Sequence, residues 1–187
     1  MALSAKKSLA LSAKPNKSAG SNLYDRLEYN IPKLKLALVS EKRTNKPWPK
    51  IKSAVDAAKL LKPLRLAPEE HFVALHLNTK FEVIGLHEVS HGTLSASLVH
   101  PREVFKAALV ANSYAILVCH NHPSGALLAP SREDFDTTRQ LIEAGNCLGI
   151  TVLDHLILGL ESLRKVSNSL TDEVFSFREN HPELWQK

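Results

Sequence analysis

Apolar and polar positions along this chain change their period several times, and each change marks an element. From Ile31 to Ser40, Leu34, Leu36 and Leu38 alternate with Lys33 and Lys35, which predicts a strand with one wet face at a sheet edge. The polar, proline-broken stretch 41–50 connects it to a helix over Ile51–Leu61. There Ile51, Val55, Ala58 and Leu61 share one face, and Pro63 is expected to stop the helix. His71–Asn78 and Phe81–Ser90 read as two strands joined by the turn Asn78-Thr79-Lys80, a hairpin, with a bend at Gly92. Pro101–Ala111 reads as a helix with Val104, Ala107, Ala108 and Ala111 on its apolar face and proline in its first turn. Tyr114–Cys119 is unbroken apolar sequence, the pattern of a strand buried on both faces. A further helix is expected over Ser131–Ala144, ended by the Gly145 and Gly149 region, and a last buried strand over Ile150–Leu158. Residues 160–187 are mixed and charged and yield no assignment.

Strands alternating with helices, plus one hairpin and no internal repeat, predict an α/β domain built on a mixed β-sheet flanked by helices. At 187 residues there is room for one such domain. A hydrophobic fraction of 44% with 23% charged residues suits a globular chain, and no apolar run approaches the ~20 residues of a membrane span. No membrane association is expected. The N-terminus lacks the apolar core of an export signal, so the expected location is cytoplasmic, with Cys119 and Cys147 reduced.

Charge is unevenly distributed. Residues 1–50 hold eleven Lys/Arg against three Asp/Glu, a balance of +8, and the remainder is net acidic. Residues 1–29 are read as a basic, disordered tail, and 30–187 as the folded domain, with its core over 69–160. The basic front offers two readings, a solubilising tail or a weak nucleic-acid contact.

Candidate chemistry concentrates in HNHPSGALLAPSRED, residues 120–134. In extended chain, residues two apart point the same way, so His120 and His122 can aim both imidazoles at one point. Pro123 and Gly125 turn the loop towards a helix start, from which Asp134 can return to the same point. Two imidazoles and one carboxylate, with a fourth position open, form a catalytic zinc set. Ser131-x-x-Asp134 also reads as a helix N-cap pair, and the two readings are compatible. A hydrolase needs a base. Glu88 ends the row Ile84, Leu86, Glu88, and Glu82 points the same way further back. Cys119, one residue from His120, is expected to face the other way, into the core.

The spacing His120, His122, Pro123, Ser131, Asp134 resembles the JAMM motif of JAB/MPN-type metalloproteases. The wider context, EHFVALHLNTKFEVIGLHEVSHGTLSASLVHPREVFKAAL followed by HNHPSG, PSRED and LGITVLDHLILG, resembles the bacterial RadC family from about Glu70 to Gly159, and more faintly back to Ile31. The resemblance implies a JAB/MPN fold of cytidine-deaminase-like three-layer architecture. It implies zinc held by His120, His122 and Asp134, with Glu88, just before SHGTL, activating a water, and Ser131 hydrogen-bonding the oxyanion. Asp154 and His155 would stand behind the ligands. The implied reaction is zinc-dependent hydrolysis of an amide or isopeptide bond in a peptide substrate. The alternative is a DNA-binding or repair accessory factor without peptidase activity, following the family's DNA-repair label. Two departures stand out. Gly125–Ala129 is apolar where the family carries a polar, Pro-rich loop, and no helix-hairpin-helix module is visible, as in a short form of the family. The contiguous His-Asn-His is not the site of an HNH nuclease, whose three residues lie far apart in sequence.

Overall fold

Seven consecutive buried positions make Ala115–Asn121 the natural centre of a sheet, and the computed structural model places the strand β3 (Ala115–His122) there. The structure describes residues 47–92, 99–123, 129–159 and 174–186. The predicted strand at 31–40, the basic tail and residues 124–128 of the apolar loop lie outside them. The remaining elements are α1 (Ala54–Leu60), β1 (His71–Leu77), β2 (Val83–His91), α2 (Pro101–Val110), α3 (Arg132–Leu148), β4 (Thr151–Gly159), β5 (Val174–Ser176) and α4 (Phe177–Asn180), with 3-10 turns at Lys62–Leu66 and Pro182–Trp185.

The five strands lie in the order β2-β1-β3-β4-β5. β3 and β4 run parallel, joined across α3, and the other neighbours are antiparallel, so the sheet is mixed as the pattern predicts. One face carries Val73, Leu75, Leu77, Leu117, Cys119, Leu156 and Leu158 against Ala57, Ala58 and Leu61. The other carries Phe72, Ala74, Ile116, Val118 and Val152 against Val104, Phe105 and Ala108 of α2 and Leu141 and Ile142 of α3. The result is three layers, helix on sheet on helix.

Several boundaries differ from the sequence reading, each for a local reason. The first helix starts at Ala54 because the Ser53 hydroxyl caps it, accepting from the Asp56 amide. Pro63 does not end the fold there but opens a 3-10 turn, where its missing N–H costs nothing. α3 runs through Gly145 to Leu148 and ends on Gly149, whose φ of 68° is the left-handed conformation favoured at a helix C-terminus. Tyr114, placed in the strand by its sequence, is half exposed just ahead of it. The tail, unassigned from sequence, forms β5 and α4. Buried Asp154 ties both down, accepting from the Ser176 hydroxyl at 2.6 Å and the Arg178 amide at 2.9 Å.

Candidate metal centre

β3 continues past Cys119 because both its neighbours continue. Phe72 pairs with His120 from β1, and Gly159 pairs with His122 from β4. Alternation then gives His120 and His122 the face already carrying Ile116 and Val118, towards α3. Asp134 is the third residue of α3, and a capping box aims it. The Ser131 hydroxyl donates to Asp134 Oδ2 at 2.7 Å, the Ser131 amide donates to the same oxygen at 2.7 Å, and the Asp134 amide donates back to Ser131 Oγ at 3.1 Å. The cap read from the sequence is formed, and it leaves Oδ1 turned to His120 Nε2.

His120 Nε2 lies 3.0 Å from His122 Nε2 and 3.2 Å from Asp134 Oδ1, and His122 Nε2 lies 4.0 Å from Asp134 Oδ2. Donors bound tetrahedrally to zinc at their usual bond lengths stand about 3.3 Å apart. His120 Nε2 already stands near that spacing from His122 Nε2 and from Asp134 Oδ1, and one donor atom from each of the three residues lies within 4.8 Å of the other two, a grouping that could hold a zinc ion. His120 and Asp134 are buried, while His122 is partly open and marks the solvent side.

A buried relay fixes the proton on His120. The Thr138 hydroxyl lies 2.6 Å from the Asp134 carbonyl, which can only accept, so Thr138 donates there. Thr138 Oγ1 also lies 2.7 Å from His155 Nδ1, so this ring nitrogen carries a hydrogen and donates to it. His155 is wholly buried, and that burial, with His120 and His122 nearby, holds its pKa well below the ordinary value, so the ring is neutral and Nε2 bears a lone pair. His120 Nδ1, 2.9 Å from that atom, must donate to it. His120 is likewise held neutral: burial lowers its pKa to about 4 against the raising influence of Asp134. Its Nε2 lone pair is then directed at the donor cluster, the arrangement a metal-binding imidazole needs. Phe72 stacks on His120 and Phe177 on His155, closing the relay from water. His155 therefore stands behind His120, a candidate ligand. Asp154 does not, being committed to Ser176 and α4.

The structure does not bring Glu88 to the cluster. Glu88 pairs with Val73, and directly paired residues share a face, so Glu88 lies on the side opposite His120, bonded to His71 Nδ1 at 2.5 Å. Glu82 is also engaged elsewhere, accepting from the Asn78 side chain. Sequence reasoning passed over Glu70. Continuing the β1–β3 register two residues past Phe72–His120 sets Glu70 opposite His122, on the cluster's face. Burial and the nearby Asp134 carboxylate raise the Glu70 pKa. The available signal was the register itself: Glu70 stands two residues before Phe72, just ahead of the strand that flanks the histidines. Cys119 is buried on the other face, its thiol pKa pushed far up by that burial, as expected of a core residue.

The model of the RadC-like JAB domain family matches residues 51–181. A UPF0758 protein of Methanococcoides burtonii is 50% identical over 117 residues, covering 62% of this chain and 51% of that protein. A UPF0758 protein of Geobacillus thermodenitrificans is 49% identical over 110 residues, 58% of this chain and 48% of that one. The Bacillus subtilis UPF0758 protein YsxA is 49% identical over 110 residues, 58% and 47% respectively. The chain spans about half the length of the curated relatives it matches. With the family's domain matched across most of its length, the chain belongs to the RadC-like JAB domain family.

Proposed function

We propose that the protein is a zinc-dependent hydrolase that cleaves an amide bond, peptide or isopeptide, at the His120–His122–Asp134 centre. The observation that carries this reading is the convergence of the three donors, with His120 locked in the ligating tautomer. Zinc, when bound, supplies Lewis-acid chemistry, polarising a carbonyl and acidifying water. The rest falls to the chain. Glu70, its pKa raised by burial and by the Asp134 carboxylate, accepts the proton of the attacking water and returns it to the leaving amine. Ser131 holds Asp134 in place through its cap, and the Phe72 and Phe177 rings keep water from the relay.

The test pairs metal content with turnover of a peptide or ubiquitin-like isopeptide library. Glu70→Gln should keep its zinc and lose at least about 100-fold in kcat. Glu88→Gln should keep turnover within a few-fold. Absence of zinc from the purified chain and from zinc-loaded samples alike would remove the hydrolase reading. A second reading, a nucleic-acid-binding accessory role, is favoured by the +8 balance of residues 1–50. It predicts salt-sensitive DNA binding that is lost on deleting those residues and unchanged in His122→Ala.

A further inference from the structure

Glu88 belongs to a second cluster. One donor atom from each of His71, Glu88 and His91 lies within 4.8 Å of the other two. His91 Nε2 also meets Glu69 Oε2 at 2.8 Å, and the His71 and His91 rings stack at 4.2 Å. We propose that Glu69, His71, Glu88 and His91 form a second divalent-cation site, on the face of the sheet opposite the first.

The backbone is shaped for this. Three residues apart in a regular strand, Glu88 and His91 would point to opposite faces. The β1–β2 register shifts between Phe72 and Val73: Val73 pairs with Glu88, but Phe72 pairs with Ser90 and His71 with His91. The extra residue resets the alternation, so Glu88 and His91 both join His71. Bulges re-aim side chains in this way. From the other side, Glu69, in the bend just ahead of β1, reaches His91, and His71 opens β1. Two imidazoles and two carboxylates result, contributed equally by two neighbouring strand ends, and Glu69, Glu88 and His91 are about half exposed and open to an entering ion.

The present contacts are close to the spacing of metal donors. His71 Nδ1 to Glu88 is 2.5 Å and His91 Nε2 to Glu69 is 2.8 Å. Each contact needs to widen by less than about 1 Å to reach the spacing of tetrahedral donors. Glu69 and Glu88 are exposed enough to turn. Mixed imidazole and carboxylate donors suit zinc, nickel or cobalt better than magnesium or calcium, which prefer all-oxygen sets. A cation here would clip the start of β1 to the end of β2.

The decisive experiment counts zinc per folded chain by native mass spectrometry, after equilibration with buffered zinc. It compares wild type, His91→Ala, His122→Ala and the double variant, using the full chain. The proposal expects two, one, one and none. In parallel, zinc should raise the Tm of His122→Ala but not of the double variant. His91 is exposed, so its loss should leave the fold intact; Glu88→Gln serves as a second variant if it does not. One zinc in wild type, kept in His91→Ala and lost in His122→Ala, overturns this proposal and leaves the proposed hydrolase standing. One zinc lost in His91→Ala and kept in His122→Ala does the reverse. A cobalt(II) visible spectrum in His122→Ala that is unchanged by His91→Ala would also overturn it.

Discussion

The Thr138 hydroxyl has one proton, and the Asp134 carbonyl takes it. Everything the relay does follows from that commitment. Thr138→Val keeps the shape but leaves the His155 Nδ1 hydrogen without an acceptor, so the His155 ring gains by turning or by moving its hydrogen to Nε2. In the second case His120 loses its acceptor and its ligating tautomer is no longer imposed. Zinc affinity should fall about 10- to 100-fold, the usual effect of removing a partner behind a metal ligand. Competition with a chromophoric chelator measures it, and Thr138→Ser should restore it. An affinity within twofold of wild type in the valine variant would mean that the tautomer is set elsewhere. At this scale the sequence was legible where spacing is local. His120, His122 and Asp134 lie within fifteen residues of one another, and two-residue alternation plus a helix start are enough to gather them. Glu70 and Glu88 were not legible, because the face each takes depends on pairing with residues far along the chain. A second register shift, between His76 and Leu77, also falls at Ile84, the first residue of the row from which Glu88 was read.

At the scale of elements, helix positions were read well and their ends less well. Gly145 shows why. A glycine near a predicted end reads as a terminator, yet here it lies inside α3 because β4 passes close by. A Cβ at residue 145 would stand 2.5 Å from the Ile150 carbonyl, 3.1 Å from a Val152 methyl and 3.2 Å from the Phe105 ring. Two of these could yield slightly, but the carbonyl is backbone and cannot. Gly145→Ala should therefore destabilise despite the roughly 1 kcal/mol that alanine adds to helix propensity. The expected net loss is about 2 kcal/mol. For a chain of this size that is a Tm drop of about 4–8 °C. An unchanged or raised Tm would show that α3 can lift from β4 without cost. Ser131→Ala works at the other end of the same helix. It should lower stability by about 1 kcal/mol. It also frees Asp134 Oδ2, so zinc affinity should fall with stability, measured by the same chelator competition.

For the molecule as a whole, folding buries neutral histidines whose unfolded counterparts would take up protons. His76 lies on the α2 side of β1, with Nδ1 bonded to Ser113 at 3.1 Å and Nε2 without a hydrogen-bond partner among the described residues. Burial, with His87 beside it, lowers its pKa to about 4 from the ordinary 6.5. In the unfolded chain the ring protonates as pH falls through 6.5, but in the folded protein only near 4. Between those values the unfolded state binds more protons, so stability rises with pH there. The contribution of His76 is complete above pH 6.5 and lost progressively down to about 4, with a ceiling of roughly 3 kcal/mol. Urea unfolding of the metal-free protein at about pH 7 and about pH 5 should show a clear fall in midpoint. His76→Leu should flatten part of that fall, while His120 and His155, neutral and buried in the same way, supply the rest. Zinc should restore the His120 share, because an imidazole that ligates a cation cannot also take a proton at the same nitrogen. If His76→Leu leaves the pH dependence unchanged, the ring is reached by water in the folded state, and the slope comes from other histidines, His120 and His155 first.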